Sequence, residues 1–223
     1  MRSSQDVFPI QNRLNNFLLV RTPPGRARTW FDGLRQRGVL IKNLDGSAAA
    51  LRDCLARGAH KAVHVIGGEA TLGDSFKIAQ TLAAALKDLE YDLIFAGIQS
   101  VGTDNSQVGP MLAEMLDLPH VSGVTSLEVG DGKLTAAREV EGGKEDYESP
   151  LPALVTCQKG LNEPRYAALK GIMAAKRKPV DKKEPGDLGV DEGSGATYAV
   201  RSLDLPPEKG EGTVLPGEDD PAT

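Results

Sequence analysis

The middle of the chain alternates short apolar runs with amphipathic stretches, and this alternation constrains the fold more than any other feature. Residues 62–66 and 93–96 are apolar runs that end at Gly67 and Gly97, a pattern typical of buried strands. Between them, from Leu72 to Leu89, apolar side chains recur every three or four residues, which predicts an amphipathic helix. Strands that alternate with helices in this way form parallel βαβ units. We therefore expect an α/β fold with a parallel sheet.

Further predicted elements lie on both sides of this unit. Gly130, Asp131 and Gly132 are typical hairpin-turn residues, and Asn162 is a candidate N-cap for a helix that follows Pro164. Phe76 belongs to the apolar face of the central helix, together with Leu82 and Leu86. The remaining predictions are short strands at residues 17–20, 39–41 and 153–157, helices at 30–37, 48–57, 108–116 and 164–177, and hairpin strands at 121–129 and 134–140.

Charge and composition divide the 223 residues into three segments. Residues 1–46 carry eight Lys/Arg against three Asp/Glu and are interpreted as a divergent N-terminal segment that can join the sheet. Residues 47–178 hold the predicted nucleotide-binding α/β domain. Residues 179–223 carry four Lys/Arg against eleven Asp/Glu, with six prolines and seven glycines. Such a segment cannot bury a core of its own, so it is either a disordered tail or an extended arm that contacts a partner.

Composition also argues against several classes of protein. The net charge is −5 and aromatic residues make up 4% of the chain, which argues against nucleic-acid binding because few rings are available to stack on bases. No run approaches the roughly 18 apolar residues of a membrane span, and no secretory signal is recognisable. We expect no direct membrane insertion and a cytoplasmic location, or the mitochondrial matrix in a eukaryote. The Arg-rich, acid-poor first segment is also typical of an organellar transit peptide.

Neither the cysteines nor the histidines form a recognisable site. Cys54 and Cys157 are far apart and stand in no CxxC pattern, so we expect two reduced thiols rather than a disulfide or a metal site. His60, His64 and His120 lack metal-ligand spacing. No GxSxG motif, Cys/His pair or carboxylate pair is recognisable, so the sequence predicts no independent catalysis.

The loop that follows the second apolar run is the best candidate for a ligand site. It lies where a parallel strand ends and a helix begins, which is where α/β sheets bind ligands. Glycines let the backbone approach a ligand closely, and Ser106 is a candidate helix cap or phosphate donor. The loop has no P-loop lysine, which argues against ATP hydrolysis, and an ordinary polar turn is the alternative. The candidate residues are Gly97, Ile98, Gln99, Ser100, Val101, Gly102, Thr103, Asp104, Asn105, Ser106, Gln107 and Val108.

A second informative stretch runs from Gln158 to Met173 and continues into a basic run at residues 176–178. A leucine surrounded by polar groups can anchor a partner protein. The alternative is a helix C-terminus stabilised by nearby cations. The candidate partner-binding residues are Arg165, Tyr166, Leu169, Lys176 and Lys178.

These stretches resemble the beta subunit family of electron-transfer flavoproteins. Four segments carry the resemblance in the family's order: the R-E-x-x-G-G segment at 138–143, Leu-Pro-Ala at 151–153, Leu-Asn-Glu-Pro-Arg-Tyr at 161–166 and Pro-Gly-Asp-Leu-Gly-Val at 185–190. The resemblance covers about residues 47–205. It implies a Rossmann-like fold of the adenine nucleotide alpha-hydrolase-like type, with a mostly parallel sheet, flanking helices, a hairpin and an extended C-terminal arm.

The resemblance also implies a role. In such proteins FAD lies mainly on the alpha subunit and the beta subunit holds a structural AMP. The flavin takes electrons from acyl-CoA-type dehydrogenases of fatty acid oxidation and passes them to a quinone oxidoreductase. The loop at residues 97–108 matches the family's AMP loop, Leu169 matches the leucine that anchors dehydrogenases, and Lys176 and Lys178 fall in the neighbouring basic run.

Departures from the family pattern leave other interpretations open. The family's N-P-F/Y segment and its short final helix are absent, Val108 replaces a threonine, and residues 17–24 match its first strand and basic turn only loosely. One alternative is a stand-alone adenine-nucleotide-binding sensor module. The others are an ATP-pyrophosphatase-type enzyme, against which the missing phosphate-loop motifs argue, and a truncated, non-functional relative.

Overall fold

The computed structural model describes residues 17–21, 38–43, 48–67, 74–99, 104–162, 166–191 and 201–202. In chain order the strands are β1 (Phe17–Arg21), β2 (Gly38–Asn43), β3 (Lys61–Val65), β4 (Leu93–Gly97), β5 (His120–Gly130), β6 (Lys133–Val140), β7 (Gly143–Pro150), β8 (Ala153–Cys157) and β9 (Val180–Lys183). The helices are α1 (Ala48–Ala56), α2 (Ser75–Leu86), α3 (Val108–Met115) and α4 (Leu169–Ala175), and a 3₁₀ helix covers Pro185–Leu188. The helix predicted at residues 30–37 lies outside the described residues.

The strands of the described residues form one sheet in the order β7-β6-β5-β8-β4-β1-β2-β3-β9. Parallel pairs join β5 to β8, β8 to β4, β2 to β3 and β3 to β9, while β1 and β6 run antiparallel to their neighbours. The predicted mixed α/β fold with a mostly parallel sheet is therefore confirmed. Strands β1 and β2 lie inside the sheet, so the N-terminal segment contributes to it.

Apolar clusters cover both faces of the sheet, because successive side chains of a strand point to opposite faces. In β4, Ile94 and Ala96 pack against α2 and α3, whereas Leu93 and Phe95 join a cluster with the β5–β6 hairpin. All four are at most 4% exposed. Helix α1 covers the face opposite α2, where a separate cluster of buried residues includes Ala175 of α4. The core thus fixes the strand ends from two sides.

Helix α2 buries the predicted apolar face except for Phe76. Its buried apolar residues are Ile78, Ala79, Leu82 and Leu86, whereas Phe76 is 42% exposed. The helix begins at Ser75, so Phe76 lies in its first turn, beside the buried stripe rather than within it. The prediction of the helix was correct and the placement of Phe76 was wrong.

Two edge strands and one cap also differ from expectation. Strands β7 and β9 are the outermost strands, and their charged sequences lack the apolar pattern that predicts a strand. Charged side chains are common on edge strands because they discourage pairing with other chains. Strand β9 and the 3₁₀ helix lie beyond residue 178, so the sheet continues into the segment expected to be an arm.

Asn162 does not cap α4, which begins at Leu169 after an N-cap at Ala168.

Among the helices of the described residues, none has the length and apolar character needed to cross a bilayer.

Candidate functional site

The carboxyl ends of β4 and β8 lie side by side at one edge of the sheet, where Gly97 pairs with Cys157. The antiparallel β1 starts at the same edge, since Leu18 pairs with Ala96. The loop between β4 and α3 leaves from this edge. Open α/β sheets bind ligands at such strand ends, so the predicted loop occupies the expected position.

The described residues of this loop are joined to one another by polar side chains. Gln99 Nε2 donates to Asp104 Oδ1 over 3.2 Å, and Ser106 Oγ donates to Gln99 Oε1 over 2.7 Å. Gln99 precedes the tip of the loop and the other two residues follow it, so these bonds join its two arms. Asp104 and Ser106 adopt positive φ angles of 48° and 53°. The tip itself, Ser100, Val101, Gly102 and Thr103, lies outside the described residues.

The loop is also attached to the start of α2. Asn105 Nδ2 donates to Ser75 Oγ over 3.1 Å, and Asp74, which is 2% exposed, caps α2 by accepting a 2.8 Å bond from Phe76 N–H. Asp74 and Ser75 were not predicted as site residues. A polar residue before an amphipathic helix is an N-cap signature, so Asp74 could have been found from the sequence. We call residues 97–99 and 104–108, together with Asp74 and Ser75, the strand-end site.

The glycines of this region have different roles. A Cβ added to Gly109 would lie 2.3 Å from Thr156 Cγ2, whereas one added to Gly97 would meet nothing within 4 Å. Gly109 therefore permits close packing of α3 on β8, and Gly97 leaves open space at the strand end. Thr156 is 1% exposed, and its Oγ1 accepts a 3.0 Å bond from the N–H of Gly123. Ser106 does not cap α3, whose N-cap position is Gln107.

The described side chains of the strand-end site offer mainly neutral polar groups to a ligand. Gln99, Asn105 and Ser106 are exposed and offer amide and hydroxyl groups, and a helix N-terminus offers backbone N–H groups to a phosphate. Residues 97–108 contain no Lys or Arg and one carboxylate, Asp104. A triphosphate would bring several negative charges to a loop without a cation, so this loop is better suited to a ligand that carries little charge.

The second predicted stretch forms an exposed apolar surface on and before α4. Tyr166 is 94% exposed, Leu169 77%, Met173 61% and Ile172 45%. We call these four residues the α4 patch. Lys176 is exposed near it, and Arg165 lies outside the described residues. Contiguous exposed apolar side chains with a polar surround mark interaction sites.

Lys178 does not extend this surface as expected. Its Nζ donates to Leu55 O and to Ala59 O, each over 2.7 Å. The side chain is half-buried, and this burial lowers the pKa of the ammonium. Lys178 therefore donates its hydrogen bonds to α1 and to the turn after it. In the opposite direction, Arg52 of α1 donates to Ala175 O and Lys178 O, and the sequence did not predict this role for Arg52.

Arg138, the first residue of the R-E-x-x-G-G segment, is the centre of a polar cluster on the hairpin. Arg138 Nε donates to Glu145 Oε2 over 2.7 Å, its Nη1 donates to Ser122 Oγ over 3.0 Å, and its guanidinium lies 5.1 Å from the ring centre of Tyr147. Hydrogen bonds from Tyr147 and from Arg138 lower the pKa of Glu145. This cluster links β5, β6 and β7 through Arg138.

The described residues contain no group of three or more His, Cys, Asp or Glu side chains placed to hold a metal ion. Cys157 is buried, and burial raises the pKa of its thiol. Burial, with a smaller effect of the nearby Arg138 charge, lowers the pKa of His120. None of these groups lies in a recognisable catalytic arrangement within the described part of the chain.

Comparison with known proteins identifies one family. Residues 38–188 match the family model described as "Electron transfer flavoprotein domain". The chain is similar to the electron transfer flavoprotein subunit beta of Bacillus subtilis, with 42% identity over 75% of this chain and 66% of that one. Similar proteins of the same name occur in Syntrophomonas wolfei, with 38% identity over 82% and 69% of the two chains, and in Homo sapiens, with 37% over 76% and 67%. The chain thus spans about two thirds of the length of these relatives.

Proposed function

The chain belongs to the electron transfer flavoprotein beta subunit family, and from this premise we propose that it works as the beta subunit of a heterodimer that carries electrons and has no independent catalysis. The observation that supports this most is the family match over residues 38–188. This range includes both the strand-end site and the α4 patch. The proposed partner within the heterodimer is an electron-transfer flavoprotein alpha subunit.

The strand-end site is proposed to hold a structural AMP. Gln99, Asn105 and Ser106 supply hydrogen-bonding groups next to the open space at Gly97. The bond from Asn105 to Ser75 attaches the loop to α2, so the loop is already tied to the core before a ligand arrives. Such preorganisation reduces the entropy lost on binding.

FAD is proposed to lie mainly on the alpha subunit, and when bound it supplies the group that accepts and releases electrons. The contribution of this chain is to present a surface to the alpha subunit and to hold the adenylate nearby. The turn after β1, which the family resemblance places near the flavin, falls outside the described residues. This chain is proposed to help hold FAD at the interface of the heterodimer.

The α4 patch is proposed to dock acyl-CoA-type dehydrogenases, which supply the electrons that a quinone oxidoreductase receives. A carrier must release one partner before it meets the next, so its docking surface should be small and its complexes short-lived. Leu169 with its apolar neighbours provides a compact anchor, and the nearby Lys176 adds charge that favours encounter more than affinity.

Co-expression with the alpha subunit tests the proposal. We expect the two chains to co-purify as a complex with flavin absorbance, and the acid-released supernatant to contain AMP. The double substitution Gln99→Ala with Asn105→Ala should lower AMP per flavin several-fold. Glu114→Ala, at an exposed position of α3, is the matched control and should leave AMP per flavin unchanged. Failure of the chains to co-purify would contradict the heterodimer, and equal AMP content in all preparations would contradict the nucleotide site.

One observation favours a second candidate function. The described polar groups of the strand-end site belong to one segment and the adjacent start of α2, so they also fit a stand-alone adenine-nucleotide-binding module. That function predicts that AMP or ATP raises the thermal unfolding temperature of this chain alone by mass action. The proposed heterodimer predicts stable nucleotide binding only with the alpha subunit present.

A further inference from the structure

Helix α4 carries the α4 patch yet buries very little apolar surface itself. Of its seven residues only Ala175 is buried, while Leu169, Ile172 and Met173 point to solvent. A helix of this length is not stable in isolation, because too few hydrogen bonds compensate for the cost of nucleation. Contacts other than the burial of Ala175 therefore contribute to its orientation.

Two cations from two segments provide those contacts reciprocally. Arg52 of α1 donates from Nη1 to Ala175 O over 2.5 Å and to Lys178 O over 2.9 Å, both at the C-terminal end of α4. Lys178, just beyond α4, donates to Leu55 O and Ala59 O at the C-terminal end of α1. We call these four hydrogen bonds the α1–α4 clamp.

The clamp adds bonds to carbonyls at and just beyond the ends of the two helices. Leu55 O and Ala175 O also accept backbone bonds, from Gly58 N–H and Lys178 N–H, and cations are favourable at helix C-terminal ends because of the helix dipole. Hydrogen bonds from charged donors are stronger than neutral ones. Each helix thus supplies the cation that caps the end of the other, and the orientation of α4 depends on both.

A direct backbone contact also brings α1 and α4 close together. A Cβ added to Gly171 would lie 2.3 Å from Ala56 O. The two helices therefore touch backbone to backbone at the point where α4 turns its other residues outward. The clamp and this contact lie at one side of α4, and the α4 patch lies on the exposed remainder.

We propose that Arg52 and Lys178 are positioning residues for docking, which hold the α4 patch in the orientation that a dehydrogenase recognises. This inference rests on the proposed docking function of the α4 patch. Neither residue needs to touch the dehydrogenase. They act by keeping the docking-competent orientation of α4 populated, since the apparent affinity of a partner falls in proportion to that population.

The size of the expected effect follows from this relation. If loss of the Arg52 contacts leaves about one fifth of the molecules with α4 correctly placed, the KM of the dehydrogenase for the heterodimer rises about fivefold. The kcat stays unchanged, because an interaction that affects only association changes KM alone. Flavin absorbance and AMP content should also stay unchanged.

The test measures electron transfer from an acyl-CoA dehydrogenase to the purified heterodimer with varied heterodimer concentration. Arg52→Gln and Lys178→Met should each raise KM several-fold at constant kcat, and Arg52→Lys, which retains one donor group, should give an intermediate KM. The control is Arg57→Gln, since Arg57 pairs with Asp53 of its own helix. If Arg52→Gln does not yield folded heterodimer, Arg52→Lys and Lys178→Met carry the same comparison.

A double-mutant cycle with Leu169→Ala separates this inference from the docking proposal. If the clamp acts through the patch, Arg52→Gln should add little to the KM of Leu169→Ala. Unchanged KM in Arg52→Gln and Lys178→Met, with a raised KM in Leu169→Ala, would overturn the positioning role and leave the docking proposal standing. Unchanged KM in Leu169→Ala would overturn the docking proposal and the inference with it.

Discussion

At the strand-end site, exposed polar side chains are held in place by buried apolar residues beneath them. On α4, exposed apolar side chains are held in place by the hydrogen bonds of the α1–α4 clamp. The first site takes its geometry from strands β4 and β8 and from helices that pack on them through Leu112 and its neighbours. The second takes its geometry from Arg52 and Lys178. The proposed ligand loop and the proposed docking surface therefore depend on different physical interactions.

The difference has a functional consequence. Apolar burial fixes the strand-end site together with the whole fold, so perturbing its base should unfold the protein. The α4 region is fixed by a few hydrogen bonds and one close contact, so it can be displaced while the sheet stays intact. Regions with few buried apolar contacts have low local stability, and this is compatible with a surface that changes partners.

The largest effect should come from removing the apolar base of the strand-end site. Leu112 is fully buried in α3, and Leu112→Ala should lower the free energy of unfolding by about 2–5 kcal/mol, from lost burial and the cavity left behind. Met173→Ala on α4, where the side chain is 61% exposed, should change it by less than about 0.5 kcal/mol. Thermal unfolding of the heterodimer at fixed concentration measures both. Equal losses of unfolding free energy in the two variants would contradict the proposed difference between the strand-end site and α4.

A smaller effect should come from the close contact between α1 and α4. Alanine in place of Gly171 gains about 1 kcal/mol of helix propensity, but its Cβ meets the Ala56 carbonyl, and overpacking costs about 1–3 kcal/mol. We expect a net destabilisation of α4, seen as faster amide hydrogen exchange at residues 172–175. Gly186→Ala, where an added Cβ would meet nothing within 4 Å, is the control. Slower exchange in Gly171→Ala would show that the contact is absent.

This contrast also explains what the sequence could and could not predict. Strands β3, β4 and β8 were predictable because apolar runs such as 93–96 are buried on both faces of the sheet, and the hairpin because of its Gly-Asp-Gly turn. Strands β7 and β9 were not, because edge strands tolerate charged side chains. The α1–α4 clamp could not be predicted from the sequence either. Its acceptors are backbone carbonyls, which every residue type has, so the sequence does not indicate which residues Arg52 contacts.

At the candidate sites, too, the sequence predicted only part of the structure. The position of the loop after β4 followed from strand order, whereas the exposure of Leu169, whose neighbours are mainly small residues, followed from the family resemblance. The different roles of Gly97 and Gly109 could not be read from the sequence, because they depend on whether Thr156 lies opposite. Lys178 belonged to a basic run in the sequence, but burial against α1 gave it a structural role.

A third test concerns the link between the strand-end site and α2. Asp74→Ala removes the oxygen that accepts the Phe76 N–H bond and should cost about 1 kcal/mol, as the loss of an N-cap does. Asp74→Asn retains an acceptor and should cost clearly less. Because Ser75 next to the cap holds Asn105, AMP per flavin should fall in Asp74→Ala and not in Gly171→Ala. Equal AMP content in the two variants would contradict the proposed coupling.

The smallest effect should appear on acidification. Burial lowers the pKa of His120 on β5, so the unfolded chain binds a proton more readily than the folded one as the pH falls below about 6.5. Stability should therefore be retained above that pH and decline below it. Chemical unfolding at about pH 7.5 and pH 5.5 should show a smaller decline in His120→Gln, and an identical decline would contradict this assignment.

The most direct test of the account measures both sites in one preparation of the heterodimer with Leu169→Ala. The account predicts that the KM for an acyl-CoA dehydrogenase rises by about tenfold, as expected for loss of about 1.4 kcal/mol of docking energy, while kcat and AMP per flavin remain those of the unchanged protein. An unchanged KM, or a parallel loss of AMP, would contradict the claim that the patch docks partners independently of the strand-end site.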